Sequence, residues 1–111
     1  MASELTGKHC VACKGGTPTL KGEELKPYAA QVPEWTIVAE HSLERVFKFS
    51  DFRTALAFVN RVGELAEAEW HHPDIELAWG RAAIKTWTHK VDGLTENDFI
   101  LAAKIDALPT Q

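Results

Sequence analysis

The chain has 111 residues, of which 45% are apolar and 25% are charged, and its formal net charge at pH 7 is −4. This length suits one domain with a single core, and the composition is that of a globular protein rather than a disordered one. An acidic chain without a basic cluster is a poor match for nucleic acid or for an anionic membrane. Neither a membrane-spanning run nor the apolar segment of a signal peptide is present. We therefore expect a soluble, cytoplasmic protein.

The first part of the chain predicts a flexible N-terminal arm. Residues 1–19 are rich in glycine, threonine and lysine, and residues 20–111 then form the domain. The arm holds both cysteines, Cys10 and Cys13. Together with His9 they resemble half of a zinc knuckle, but no second pair of ligands follows, and the context of a thioredoxin-like redox pair is missing. We expect free thiols here.

A short helix and a β-hairpin are predicted next. The helix is indicated by apolar residues at helical spacing and ends at Pro33; they are Leu25, Tyr28, Ala29 and Val32. Residues 35–40 and 43–49 are rich in strand formers, and His41-Ser42 provides the reversal between them. Arg45 interrupts the apolar face of the second strand, so we expect it near an edge of the sheet.

The longest helix is predicted between Ser50, as its N-cap, and Pro73. Its apolar stripe is predicted to consist of Phe52, Leu56, Val59, Val62 and Ala66. Because the residue before a proline is pushed out of helical geometry, His71 and His72 are expected where the chain leaves the helix.

Two more strands and a last helix complete the domain. Residues 75–79 and 82–89 alternate apolar and polar side chains, with a tight turn at Gly80-Arg81. Thr95 and Asp98 form a capping-box pattern that starts the last helix, which ends before Pro109. The element order α-β-β-α-β-β-α predicts an α+β fold, with a four-stranded antiparallel sheet and three helices on one face.

Three of the five histidines, His71, His72 and His89, lie in two short segments. Imidazole titrates near neutrality and can therefore give or take a proton at working pH. Antiparallel pairing of the last two strands brings His89 towards the histidine pair, and such convergence is typical of a site. A metal site is the alternative, although adjacent histidines rarely chelate one ion because their side chains diverge. His9 and His41 are expected to be ordinary surface residues.

Two carboxylates are candidates for assisting these histidines. Glu67 precedes His71 by one helical turn, so it can orient an imidazole or accept hydrogen bonds from a ligand; an ordinary solvated residue is the equal alternative. Asp98 is already explained as the capping partner of Thr95. If that helix start contacts His89, the Asp98 carboxylate can also support formation of an imidazolium ion.

Tryptophans surround the histidine segments. Trp70, Trp79 and Trp87 are close to them in sequence and can wall a flat heterocycle, with core or interface packing as the alternative for each. An edge strand in a four-stranded sheet also favours pairing with another copy of the chain, so we expect a homo-oligomer.

The chain resembles the pterin-4a-carbinolamine dehydratases over about residues 20–107. The resemblance rests on four segments in order: Val32-Pro-Glu-Trp35, His71-His72-Pro73, Thr88-His89, and Gly93-Leu-Thr-Glu-Asn-Asp98 before an apolar helix. It implies a homodimer or homotetramer that converts 4a-hydroxytetrahydropterin to quinonoid dihydropterin without metal or organic cofactor. By the same resemblance the catalytic residues are His71, His72 and His89, and the substrate-binding residues are Glu67, Thr88 and Asp98.

The resemblance also implies a functional setting: recycling of the pterin used by an aromatic amino acid hydroxylase. We hypothesise that His72 and His89 are the acid–base pair and that His71 positions the substrate. The chain departs from many members at Trp70, where they have an acidic residue, and at Trp87, where they have a small one. Both changes are expected either to narrow the pocket or to alter contacts to the edge of the pterin. The alternative function is a non-catalytic interaction module, because some relatives bind a transcription factor and promote its dimerisation.

Overall fold

The computed structural model describes residues 4–11 and 18–110. The helices are Lys26–Ala29 (α1), Phe52–Glu69 (α2) and Glu96–Asp106 (α3), and the strands are Thr36–Val38 (β1), Ser42–Lys48 (β2), Asp74–Ala78 (β3) and Arg81–Thr86 (β4). Short 3-10 turns cover Glu4–Gly7, Gly22–Leu25 and His89–Val91. The predicted order of helices and strands is confirmed. Within the described part of the chain, no helix combines the length and apolar character needed to cross a bilayer.

The four strands form one antiparallel sheet in the order β1-β2-β4-β3. The side chains of Ala82, Ile84 and Thr86 in β4 are buried, as the predicted alternation requires. The strand is shorter than predicted, because it ends at Thr86 and the chain enters the 3-10 turn at His89. His89 therefore lies on a turn rather than on the sheet.

The core lies between one face of the sheet and the helices. Phe47 of β2 contacts Phe58 of α2 with ring centroids 4.6 Å apart, and Thr86 of β4 donates a hydrogen bond to Asp98 of α3. Both helices therefore cover the same face, while Val46 on the opposite face is exposed. The predicted α+β fold, with a four-stranded antiparallel sheet and three helices, is confirmed.

The start and the buried face of α2 differ from the prediction. Asp51, rather than Ser50, is the N-cap, and its carboxylate accepts a hydrogen bond from the backbone of Thr54 at 2.8 Å. Phe52 and Leu56 are exposed; the buried residues of this helix are Ala55, Phe58, Val62, Ala66 and Glu69. The predicted stripe is therefore only partly right: Val62 and Ala66 are buried as predicted, and Ala55 and Phe58 are buried in place of Phe52 and Leu56.

Arg45 is accommodated on the buried face by a carboxylate of α3. Its strand, β2, is internal to the sheet, but pairing with β1 ends at Glu44, so Arg45 lies just beyond that neighbouring strand. The guanidinium lies 4.2 Å from the ring centroid of Phe47 and donates to Asp106 at 2.7 Å. Trp35 donates to the same oxygen at 2.8 Å, so one carboxylate joins the end of α3 to β2 and to the residue that precedes β1.

The described part of the N-terminal region packs on the domain. Leu5 is 1% exposed and belongs to the core, and Cys10 is half-buried against it. Residues 4–11 are thus packed on α2 and α3, where composition predicts a flexible arm, because composition carries no signal of such distant partners. Cys13 and its neighbours at 12–17 lie outside the described residues, and the boundary at residue 20 stays a prediction.

Candidate functional site

A cleft of about 270 Å³ opens where α2 ends beside the 3-10 turn that follows β4. Its lining residues are Val11, Trp70, His71, His72, Trp87, Thr88, His89, Lys90 and Asn97. The three histidines that the sequence led us to expect together thus line one cavity.

The turn at the end of α2 places the side chains of the two adjacent histidines in different surroundings. Trp70 adopts a left-handed conformation with φ of 53°, and the backbone N–H of His71 donates to the carbonyl of Ala66 at 3.1 Å. With the bond from Trp70 to Glu67, this is the Schellman pattern that closes many helices, usually with glycine at the left-handed position. The turn leaves the His71 side chain 11% exposed and the His72 side chain 51% exposed.

His71 is fixed by a fully buried carboxylate. Its Nε2 lies 2.7 Å from Oδ1 of Asp98, and the same oxygen accepts a hydrogen bond from the hydroxyl of Thr86. The other oxygen, Oδ2, accepts from the hydroxyl of Thr88 and from the backbone N–H of Thr95. An ionised carboxylate only accepts hydrogen bonds, so Nε2 of His71 carries the hydrogen in this contact. Any proton that His71 exchanges with a ligand must therefore pass through Nδ1.

Asp98 contacts a different histidine from the one expected. The hypothesised partner was His89, but the carboxylate is bonded to His71. Asp98 does not line the cleft, because its side chain is fully buried. Thr88 does line the cleft, while its hydroxyl is directed at Asp98 at 2.8 Å. The two side chains therefore form a hydrogen-bonded layer behind the cleft, through which Asp98 contacts His71.

His72 is paired with Glu67. Its Nε2 lies 2.7 Å from Oε1 of Glu67, and both side chains are largely exposed. Glu67 thus contacts an imidazole, as one of its predicted uses requires, while its side chain stays solvated. The ring of Trp70 meets the His72 ring edge to face, with centroids 5.1 Å apart. This indole therefore covers one side of a histidine at the rim of the cleft.

Trp87 has the corresponding place beside His89. The two rings meet edge to face with centroids 4.2 Å apart. On other sides Trp87 contacts His41, at a centroid distance of 5.4 Å, and the ammonium of Lys85, at 5.3 Å. The cleft thus has an indole next to each of its two more exposed histidines. Trp79, the third candidate for a wall, is exposed and does not line it.

Sequence reasoning missed Glu69, a buried carboxylate behind the cleft. Its oxygens accept hydrogen bonds from the ammonium of Lys104 at 2.7 Å and from the backbone N–H of Cys10 at 2.8 Å, and they lie 3.1 Å from Nδ1 of His9. Burial alone would raise the pKa of Glu69, but these donors hold it at about 2. One signal was available: an acidic residue in the last position of a helix opposes the helix dipole and calls for another partner.

Cys10 is a protonated thiol in this setting. Burial, with the nearby charge of Glu69, raises its pKa to about 12, and its Sγ lies 3.5 Å from the backbone carbonyl of Asn97. A thiol in that state is a poor nucleophile and a poor metal ligand. Among residues 4–11 and 18–110, no three histidine, cysteine, aspartate or glutamate side chains are grouped as a metal site requires.

The chain is similar to curated proteins over nearly its whole length. A relative from Rubrobacter xylanophilus named "Putative pterin-4-alpha-carbinolamine dehydratase" is 63% identical over 106 residues, which is 96% of this chain and 99% of the relative. A protein of the same name from Alkaliphilus metalliredigens is 49% identical over 94% of this chain and 95% of its own length.

Solved structures show the same fold. A protein from Brucella melitensis described as a transcriptional coactivator/pterin dehydratase is 32% identical, with a TM-score of 0.76 over 81% of this chain and 97% of its own. A pterin dehydratase-like protein described as a RuBisCO assembly factor has a TM-score of 0.59 at 24% identity over 67% of this chain and 87% of its own, a likeness of fold alone. The family model described as "Pterin 4 alpha carbinolamine dehydratase" matches residues 18–108. The chain therefore belongs to the pterin-4a-carbinolamine dehydratase family.

Proposed function

We propose that this protein dehydrates 4a-hydroxytetrahydropterin to quinonoid dihydropterin by acid–base catalysis with histidines. The observation that carries the proposal is the cleft in which His71, His72 and His89 meet, with carboxylates fixing the first two. Family membership supplies the substrate class. The flat pterin ring suits a cleft of this size with indoles at two sides.

The reaction needs one proton delivered and one removed. The hydroxyl on ring carbon 4a leaves as water once its oxygen receives a proton, and the neighbouring ring nitrogen gives up its own proton as the new double bond forms. A protonated imidazole serves the first step and a neutral imidazole the second, and both forms coexist near neutral pH. One proton is delivered and one is removed in each turnover, so exchange with solvent returns both histidines to their starting states.

We assign the acid–base pair to His72 and His89, and the positioning of the substrate to His71. His72 and His89 are the two more exposed histidines of the cleft, so a ligand has access to both rings. His71 is mostly enclosed and bonded to Asp98, which suits a group that keeps a fixed orientation. In this proposal Glu67 and Asp98 are positioning residues that act through His72 and His71, and Thr88 positions Asp98.

The proposal includes a setting for the enzyme. We expect a cytoplasmic homodimer or homotetramer that recycles the pterin cofactor of an aromatic amino acid hydroxylase. The second candidate function is an interaction module, favoured by the description of the Brucella melitensis structure as a transcriptional coactivator as well as a pterin dehydratase. The two functions differ in whether the protein accelerates dehydration at all.

The test is the rate of 4a-hydroxytetrahydropterin dehydration, followed by absorbance. We expect the protein to accelerate this reaction, and His72→Ala and His89→Ala each to lower kcat by about 100- to 10,000-fold, the usual contribution of a positioned acid or base. Val38→Ala is the control, because this exposed residue of β1 lies outside the cleft. No acceleration above the spontaneous rate would reject the enzyme and turn attention to binding partners.

A further inference from the structure

Residues 8–11 of the N-terminal region, here called the N-terminal wall, reach the cleft at Val11, which is one of its lining residues. We propose that the N-terminal wall forms one side of the pterin site, and that Asn97 and Glu69 are positioning residues that hold it there and so set the affinity for substrate. This inference rests on the proposed dehydratase function.

Asn97 fastens the end of the wall that reaches the cleft. Its side-chain amide donates to the carbonyl of Val11 at 2.6 Å and accepts from the N–H of the same residue at 3.0 Å. Both backbone polar groups of Val11 are therefore bonded to one side chain, in the way a neighbouring strand would bond them. Val11 and Asn97 both line the cleft beside the histidines.

Glu69 fastens the middle of the wall. One carboxylate oxygen accepts the N–H of Cys10, and the other is bonded to the ammonium of Lys104. Because the carboxylate is buried, it favours the arrangement in which Cys10 and Lys104 donate to it. Nearer the start of the wall, Lys8 bonds Glu96 at 2.7 Å. The wall is thus tied to the end of α2 and to α3.

The side chain of Val11 is an exposed apolar group at the edge of the cleft. It is 71% exposed although the backbone that carries it is fixed. A flat heterocycle in the cleft would cover this apolar group and gain from removing it from water. Since the wall is already in position, binding would not have to order the segment, which favours affinity.

The experiment compares steady-state kinetics of the full chain with Asn97→Ala, Val11→Ser and Val11→Ile. We expect the first two to raise KM for 4a-hydroxytetrahydropterin about tenfold and to lower kcat less than about twofold, the pattern of an interaction made equally in the ground and transition states. Val11→Ile keeps an apolar wall and should keep a low KM. Val38→Ser, at another exposed valine, is the matched control.

A second measurement follows the wall without using catalysis. In a Cys13→Ser background, the rate at which iodoacetamide alkylates Cys10 reports whether the half-buried thiol stays covered. We expect Asn97→Ala to speed this reaction about tenfold, because it releases one attachment of the wall. If Asn97→Ala fails to fold, the exposed position at Val11 still carries the kinetic test.

The outcomes separate the two claims. If the unchanged protein does not accelerate dehydration, the proposed function fails and this inference falls with it. If the protein is active and alkylation of Cys10 speeds up in Asn97→Ala while KM stays constant, the dehydratase stands and the wall is not part of the site. If both KM and the alkylation rate of Cys10 stay constant in Asn97→Ala, Asn97 does not hold the segment and the inference is overturned.

Discussion

Asp98 joins more elements than any other residue of the site described here. Its two oxygens receive donors from β4, from the segment after it, from the start of α3, and from His71 beyond the end of α2. The sequence marked Asp98 as a capping residue and as a helper of a histidine. It could not show which histidine, because that depends on where β4 ends and on how the chain turns after α2.

The Asp98→Asn variant tests this role. The amide offers one acceptor oxygen and two N–H donors where four donors point at a carboxylate, so buried groups lose partners. We expect the free energy of unfolding in urea to fall by about 2–4 kcal/mol, and kcat for pterin dehydration to fall as His71 loses its fixed orientation. Thr86→Val removes a single donor and should cost about 1 kcal/mol. Equal stability and activity in Asp98→Asn would contradict the role of this carboxylate.

At the scale of elements, the sequence predicted the helices and strands better than their ends and faces. Patterns of two and of three to four residues identify a strand or a helix, and they did so here for the hairpin, α2 and α3. The ends depend on single hydrogen bonds, such as the one that makes Asp51 the cap of α2. The buried face of α2 was misplaced because Phe52 and Leu56 are apolar and yet exposed, which periodicity alone cannot reveal.

The contact between α3 and the hairpin predicts a pH-dependent effect of Arg45→Met. Burial raises the pKa of Asp106, although Trp35 and Arg45 partly offset this. Without the guanidinium, the ionised carboxylate keeps only the indole of the two, so we expect a loss of about 1–2 kcal/mol in unfolding free energy at pH 7.

The sign of the pH effect follows from the raised pKa of Asp106. A carboxyl with a raised pKa in the folded state favours folding more as the pH falls through that pKa. The variant raises this pKa further, so its deficit should shrink as the pH falls and the carboxyl is protonated in both proteins. Urea unfolding at pH 7 and at acidic pH measures this, and a deficit that grows towards acidic pH would speak against it.

At the scale of the whole molecule, the domain includes residues that the sequence assigned to an arm. Composition predicts a loose segment wherever glycine, threonine and lysine are frequent, but Leu5 contributes to the core and Cys10 contacts Glu69, 59 positions later in the chain. Such distant partners leave no periodic signal. The same limit explains why the sequence predicted that the histidines of the cleft lie together but did not predict Val11 and Asn97. His71 and His72 are adjacent and come just before β3, and His89 comes just after β4, the strand that pairs with β3.

Leu5→Ala tests whether the N-terminal region is part of the fold. Removing a fully buried leucine side chain leaves a cavity, and such substitutions typically cost about 2–5 kcal/mol. We expect a loss of that size in urea unfolding, with the unfolding slope unchanged. Val38→Ala, at an exposed position, should stay within about 0.5 kcal/mol of the original protein. An unchanged unfolding midpoint for Leu5→Ala would instead support the prediction of a flexible arm.

The left-handed backbone at Trp70 sets stability against the shape of the cleft. A side chain other than glycine in this conformation costs about 1–2 kcal/mol, and here the indole is also mostly in contact with water. Selection for a stable helix end alone would place glycine at this position. Selection for stability at high temperature would therefore favour replacement of Trp70 by glycine. That replacement would make the protein more stable, but it would remove the indole that contacts His72 and so widen the cleft.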